Sequence, residues 1–105
     1  MTGWEKELTL GGVGIGWKGL LGELKDGLEI LCTDGNDIEI QQIKEKFGGL
    51  RVYFSSSEDI YEQAGDLVRR AERAAWKTCE VCGQDGKSRP GGWIKTLCDD
   101  CAAAR

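Results

Sequence analysis

Two pairs of cysteines near the end of the chain limit its fold more than any other feature. Two residues separate the cysteines of each pair, and fifteen residues separate Cys79 and Cys82 from Cys98 and Cys101. A tight turn within a pair aims both sulfurs at one metal ion, and two such turns complete a tetrahedron of thiolates. Gly83 directly follows the first pair and suits the positive φ that such a turn requires. The spacing therefore predicts a structural zinc site whose four protein ligands leave no position for water or substrate.

Three other kinds of chemistry also use paired cysteines. A thioredoxin-type redox motif needs a βαβ context, whereas here the first pair follows a predicted helix and a second pair comes after it. Disulfide bonds are disfavoured if the protein works in a reducing compartment. An iron–sulfur cluster is the main alternative to zinc, because it also takes four thiolates.

The length of the chain suits a small core that carries a metal-held module. A chain of 105 residues buries only a limited apolar surface. We therefore predict a core over residues 1–77 and a zinc-binding module over residues 78–105 that packs on it. Structural zinc contributes on the order of 10 kcal/mol to the folding of small peptides, which is enough to order such a module.

The charge of the chain argues against non-specific binding of nucleic acid. The formal net charge is −4. Four thiolates and one zinc ion would lower it to about −6. An acidic chain lacks the overall electrostatic attraction to phosphates that such binding needs, although a local basic patch could still supply it.

Composition also favours a reducing, cytoplasmic setting. The first residues show no charged region followed by an apolar run, so we expect no signal peptide. No stretch approaches the roughly 18 apolar residues that span a bilayer, so we expect no contact with a membrane. The odd number of cysteines, with Cys32 apart from the other four, favours metal-binding thiols over disulfides.

We do not expect catalysis. The chain has no histidine, which removes the usual general base and any His-activated nucleophile. We interpret Cys32 as a small core residue at the end of a predicted helix. The protein is therefore predicted not to be an enzyme.

Hydrophobic periodicity predicts two helices. Apolar residues at steps of three and four run from Trp17 to Leu31 and predict a helix over about residues 17–31. A second stripe, from Ile60 to Ala75, predicts a helix over about residues 58–77. Ser55 and Ser56 each have the spacing of a capping box at its start.

Between the helices, alternating residues predict a β-hairpin over about residues 38–54. The alternation breaks at Gln41 and Gln42, which predicts a bulge. Gly48 and Gly49 are predicted to form the turn. The fold class is therefore α+β: a helix, a β-hairpin and a helix, followed by a zinc ribbon or knuckle.

The glycines of residues 11–16 do not have the spacing of a phosphate-binding loop. We interpret this stretch as a flexible leading segment or a site of close backbone packing. Trp76 and Trp93 are predicted to pack the zinc module against the second helix.

Basic and aromatic side chains occur together in two places, which is a pattern of nucleic-acid and partner binding. Ordinary solvated charges are the simpler interpretation. The candidate partner-binding residues are Lys44, Lys46, Arg51 and Tyr53 on the hairpin, with Lys87, Arg89, Trp93 and Lys95 in the zinc module.

Three segments carry a resemblance to a known group: residues 43–51 (IKEKFGGLR), residues 79–83 (CEVCG) and residues 92–98 (GWIKTLC). Across roughly residues 14–101 the chain resembles small, uncharacterised bacterial and phage proteins with such a hairpin and a C-terminal metal-binding knuckle. The resemblance implies a phage or prophage origin and transfers no catalytic residue.

We therefore expect a non-enzymatic, zinc-stabilised binding protein that acts through protein–protein contacts. If the protein is phage-encoded, as the resemblance implies, its acidic character suggests that it modulates or inhibits a host complex that handles nucleic acid or serves in defence. The alternative is a nucleic-acid-binding zinc ribbon that uses the basic and aromatic residues named above.

Overall fold

The structure is a computed structural model that describes residues 1–9 and 12–105. One-turn 3₁₀ helices, Ile15–Trp17 and Glu58–Ile60, lead into the second and third α-helices. The order confirms the predicted α+β fold of helix, hairpin and helix followed by a cysteine cluster. The elements in chain order are α1 (Trp4–Thr9), α2 (Lys18–Leu31), β1 (Ile38–Lys46), β2 (Gly49–Ser56), α3 (Tyr61–Ala75), β3 (Lys87–Arg89), β4 (Lys95–Leu97) and α4 (Asp99–Ala103).

The core lies between the β1–β2 hairpin and the two longer helices, and both predicted helical stripes contribute to it. Helix α2 supplies Trp17 from its leading turn together with Leu21, Leu24 and Leu28. Helix α3 supplies mostly alanines, which lets it approach α2 closely. At the contact, a Cβ on Gly27 would lie 3.2 Å from Leu67 Cδ1. Glycine therefore suits this position of α2, which continues past it to Leu31.

The hairpin contains the predicted bulge, but its turn is displaced by one residue from the predicted one. The antiparallel register shifts between Ile40 and Gln42. Lys46 pairs with Gly49, so the turn consists of Phe47 and Gly48, whose φ values are 55° and 81°. Two positive φ values make the kind of tight turn whose twist matches that of a hairpin. The prediction of a Gly48–Gly49 turn is therefore wrong.

Gly49 is the first residue of β2 and serves a packing role instead. A Cβ at this position would lie 2.5 Å from Cζ2 of Trp76. The indole of Trp76 therefore lies against the bare backbone of the strand. This contact joins the end of α3 to the tip of the hairpin.

The two predicted capping boxes do not form, because β2 continues through Ser56. Ser57 precedes the 3₁₀ turn and makes no side-chain cap. Its hydroxyl instead accepts a hydrogen bond of 2.8 Å from the N–H of Asp37. The serine-rich stretch therefore ties the end of β2 to the start of β1.

The beginning of the chain closes the outer edge of β1, although sequence periodicity did not predict α1. Thr2 donates to the carbonyl of Ile38 and accepts the N–H of Ile40, at 3.0 and 2.8 Å. The buried carboxylate of Glu7 on α1 accepts the N–H of Ile43 at 3.1 Å. An open strand edge can pair with other chains, so this cover protects β1.

Close backbone packing explains the glycine-rich stretch, except at Gly11, which lies outside the described residues. A Cβ on Gly12 would collide with the carbonyl oxygen of Ile43. One on Gly16 would collide with the carbonyl oxygen of Cys79. The N–H of Gly16 also donates to the carbonyl of Glu80 at 2.9 Å. This segment therefore joins residues of the predicted core to residues of the predicted zinc module. The division at residue 77 itself stays a prediction.

The substitution Gly16→Ala tests this backbone contact. We expect it to lower the free energy of unfolding by about 2 kcal/mol, since overpacking a closed contact typically costs that much. The midpoint of thermal unfolding should fall by about 10 °C. Gly22→Ala is the matched control, because a Cβ there meets no atom within 4 Å. It should stabilise α2 by up to about 1 kcal/mol. Equal midpoints for the two variants would contradict the packing role of Gly16.

Candidate metal centre

Two short turns and one strand position the four cysteines. Cys79 and Cys82 lie on a turn shortly after α3, and Gly83 closes it with φ of 84° and a hydrogen bond from its N–H to the carbonyl of Cys79. Cys98 follows β4 directly and is the N-cap of α4. Its sulfur accepts the N–H of Cys101 at 3.4 Å. The sequence had predicted both turns and the role of Gly83.

The four sulfur atoms form one cluster. All lie within 4.8 Å of one another, and the Cys82 and Cys98 sulfurs are 3.5 Å apart. Four thiolates around one zinc ion, at about 2.3 Å each, would be about 3.8 Å apart. A disulfide needs a separation of about 2 Å, and all five cysteines are free thiols. The cluster could therefore hold a metal ion.

The thiols of the cluster differ in acidity. Burial raises the pKa of Cys79, but hydrogen bonds from backbone N–H groups, first that of Cys82 and then that of Cys98, outweigh it and lower the pKa to about 6. Hydrogen bonding with the Cys98 sulfur is the main cause that raises the pKa of Cys101 to about 12. Near neutral pH, Cys79 is thus a ready thiolate, whereas a metal ion would have to displace the proton of Cys101.

Glu80 fixes the first cysteine turn to the rest of the molecule. Its side chain is buried, its Oε1 lies 2.7 Å from Nζ of Lys95, and its Oε2 accepts the N–H of Thr96 at 3.1 Å. Thr96 in turn donates its hydroxyl to the carbonyl of Gly48 at 2.7 Å. A continuous set of hydrogen bonds thus runs from the cluster to the hairpin turn. Sequence reasoning missed Glu80, because nothing in local spacing links it to a lysine fifteen positions later.

The predicted roles of two tryptophans are corrected by the structure. Trp93 is 67% exposed and does not pack the module against α3. Trp76 contacts Gly49 and so joins α3 to the hairpin tip, not to the cysteine module. The tryptophan that connects the core to the residues before the cysteine cluster is Trp17, which is fully buried and donates its indole N–H to the carbonyl of Thr78 at 2.9 Å.

The hairpin brings four of the candidate partner-binding residues together. In the observed register Lys44 lies opposite Arg51, and Tyr53 follows Arg51 on the same face. The amine of Lys44 lies 5.4 Å from the centre of the Tyr53 ring. Lys46 also belongs to this face, by the two-residue period of a strand. The hairpin therefore presents a basic face with one half-exposed aromatic ring, defined by these four residues.

In the cysteine module, two of the four candidates are engaged inside the molecule. Arg89 donates to the carbonyl of Leu97 at 3.1 Å and pairs with the carboxylate of Asp99 at 2.7 Å, which lowers the pKa of Asp99. Lys95 pairs with Glu80. Lys87 and Trp93 remain exposed. Two of the four candidates in the module are therefore held by carboxylates of the same chain, and whether the eight residues bind a partner stays a prediction.

One exposed apolar surface joins the hairpin to the cysteine module. We call it the tip surface and define it by Phe47, Trp93 and Ile94. Phe47 is 65% exposed, and the three residues line a groove of about 360 Å³ together with Glu45 and two glycines. Sequence reasoning missed Phe47, although an aromatic residue in a two-residue turn is itself unusual.

Cys32 lies outside the cluster, at the end of α2. It is half-buried and packs against the core, in agreement with its predicted role. It is therefore a natural control for experiments on the four clustered cysteines.

Comparisons with known protein families, with curated proteins and with solved structures found no match to this chain. In the described ranges 1–9 and 12–105, none of the helices has the length and apolar character needed to cross a bilayer.

The substitution Cys79→Ser tests the metal centre. Replacing one of the four thiolate ligands should abolish stoichiometric binding of zinc, because three thiolates and a hydroxyl bind it far more weakly. Native mass spectrometry gives the metal content, and Co²⁺ substitution gives the absorption of thiolate–metal bonds. Cys32→Ser should keep one metal ion per chain. Retention of a tightly bound ion by Cys79→Ser would contradict the assignment of this residue as a ligand.

Proposed function

We propose that the protein is a non-enzymatic binding protein, held together by one structural Zn²⁺, that acts through protein–protein contacts. The single observation that carries the proposal is the tip surface. Phe47 and Trp93 come from parts of the chain that are 46 positions apart and expose large apolar side chains side by side. Adjacent exposed aromatic residues of this kind are typical of partner-binding sites.

Zinc is the metal that fits the sulfur cluster best. The ligands are four thiolates, and the separations of at most 4.8 Å suit a single tetrahedral ion. A cluster of several irons places inorganic sulfides between the metal atoms and would hold the thiolates farther apart. A single ion with four protein ligands has no position for substrate, which supports a structural role.

The metal would maintain the tip surface rather than take part in binding. The buried apolar residues of the module number only three: Cys79, Leu97 and Cys98. Such a small core contributes little stability by itself. Zinc would cross-link the turn that contains Glu80 and the segment after β4, and so keep Trp93 beside Phe47.

The charges in the module support a protein partner rather than nucleic acid. Arg89 and Lys95 are the cations nearest to Trp93 in the sequence, and both are neutralised by carboxylates of the same chain. Lys95 also lies over the ring of Trp93, at 5.5 Å from its centre, and Lys46 lies over the ring of Phe47 at 5.8 Å. Since both cations of the module are already paired, the exposed rings suit an apolar protein contact better than a phosphate backbone.

From the resemblance and the acidic charge we further propose a phage-encoded modulator or inhibitor that acts in the cytoplasm of the bacterial host. Its target would be a complex that handles nucleic acid or serves in defence, since such complexes present basic surfaces. Free thiols in all five cysteines are compatible with a reducing compartment.

The variant Trp93→Ala tests the tip surface. Removal of a central aromatic contact should weaken partner binding about 30-fold. Zinc content and thermal stability should not change, because the side chain is exposed. The measurement is affinity capture from bacterial lysate followed by titration of the recovered protein. Ile30→Ala is the matched control, since Ile30 is 74% exposed on α2. Recovery of the same partner with equal affinity by both variants would contradict the proposal.

The basic face of the hairpin favours a second candidate function, binding of single-stranded nucleic acid. Three cations and Tyr53 share this face; Lys44 lies over the ring of Tyr53 and Lys46 over the ring of Phe47. Cations can hold phosphates while an aromatic ring stacks on a base. This function would use the hairpin and not the sulfur cluster.

Fluorescence anisotropy with a labelled single-stranded oligonucleotide tests the second candidate. Binding at low salt should weaken steeply as salt rises, since each phosphate contact releases a counterion. Arg51→Ala should weaken it about tenfold, whereas Arg73→Ala, an exposed change near the end of α3, should not. Absence of binding at low salt would eliminate this function and leave the protein-binding proposal intact.

A further inference from the structure

The outer edge of β2 offers backbone groups to a partner strand. In an antiparallel pair, opposite residues either bond to each other or both point their N–H and C=O groups outward. The backbone N–H and C=O groups of Ile38 and Ile40 point outward from β1, because Thr2 bonds to the carbonyl of Ile38 and to the N–H of Ile40. The residues opposite them are Ser56 and Phe54, so the backbone N–H and C=O groups of these two residues must point outward from β2.

The two edges of the hairpin are treated differently. The N-terminal segment covers β1, whereas on β2 the carboxylate of Glu72 accepts only the N–H of Val52, at 3.1 Å. Among residues 1–9 and 12–105, no group outside the hairpin bonds to the backbone N–H or C=O of Phe54 or Ser56. Two outward-pointing residues at a spacing of two are what an added strand requires.

A groove runs beside this edge, between β2 and α3. Its volume is about 630 Å³. Phe54 and Tyr61 form one wall, with ring centres 5.6 Å apart. Gly65 and Arg69 line the helix side, and a Cβ on Gly65 would lie 3.2 Å from the guanidinium of Arg69. The volume of the groove is sufficient for a short extended segment next to the strand edge.

The charge of the groove selects the partner. Glu62, Asp66 and Glu72 line the helix side, and the one cation among the lining residues, Arg69, is paired with Asp66. The local charge is therefore negative. Lysine or arginine side chains of a bound segment would meet Glu62 and Glu72, whereas an acidic segment would be repelled.

We propose that an extended, basic segment of a partner protein adds to the hairpin as a third strand along Phe54 and Ser56. Its backbone pairs with the outward groups of β2, and its basic side chains lie along the carboxylates of α3. This surface is distinct from the tip surface, so the two can be tested separately. In this proposal, the carboxylates of α3 that make the chain acidic attract the basic segment.

The experiment uses the full-length, zinc-loaded protein and a peptide of about nine residues that alternates lysine with valine. Titration followed by ¹H–¹⁵N NMR should shift the amides of Phe54 and Ser56 and protect both from hydrogen exchange. A copy of the peptide that is N-methylated at alternate residues cannot donate to β2 and should bind at least tenfold more weakly.

Charge reversal tests the selectivity. Glu62→Lys should weaken binding about fivefold. Glu23→Lys makes the same change in charge on the exposed face of α2 and should leave the affinity unchanged. Trp93→Ala should also bind the peptide normally, which separates this proposal from the tip surface. Equal effects of the two charge reversals, unimpaired binding of the methylated peptide, or no shift on β2 at millimolar peptide would each overturn the proposal.

Discussion

A buried carboxylate holds the cysteine module in place. Glu80 lies within the first cysteine pair and is only 4% exposed, a position in which an unpaired charge would be strongly destabilising. Lys95 and the N–H of Thr96 satisfy its two oxygens, so the cost of burial is offset only when β4 lies beside the cysteine turn. The second cysteine pair follows β4 directly. The same contact that satisfies Glu80 therefore brings all four sulfurs together.

The contacts between the cysteine module and the rest of the fold hold both in a fixed orientation. Gly16, Trp17 and Gly48 each contact the module through the backbone or an indole N–H. These contacts are polar and directional, and they fix orientation more than they contribute apolar burial. Under the proposed function, zinc adds the stability that the three-residue core of the module lacks. The tip surface depends on these contacts, because Phe47 comes from the hairpin and Trp93 from the cysteine module.

The hairpin would be incomplete as an isolated sheet, since two strands leave two open edges. Its own chain covers β1 with Thr2 and Glu7, and it places a single carboxylate, Glu72, against β2. Carboxylates near the remaining edge also discourage pairing with another copy of this acidic chain, because like charges repel. The difference between the two edges is what the proposed third-strand binding requires, since one edge is covered by the chain itself and part of the other is left open.

The sequence by itself determined the two long helices, the bulged hairpin and the identity of the four clustered cysteines. Each of these depends on spacing along the chain: a stripe at steps of three and four, an alternation, or a pair of turns. Tertiary structure decided the rest. Phe47 and Gly48 form the turn, and both have the positive φ that a two-residue hairpin turn requires. Gly49 lies in β2 instead, where a side chain would collide with the indole of Trp76. Glu80, Trp17 and the glycines before α2 acquire their roles from partners that are distant in sequence, and no local pattern specifies such contacts.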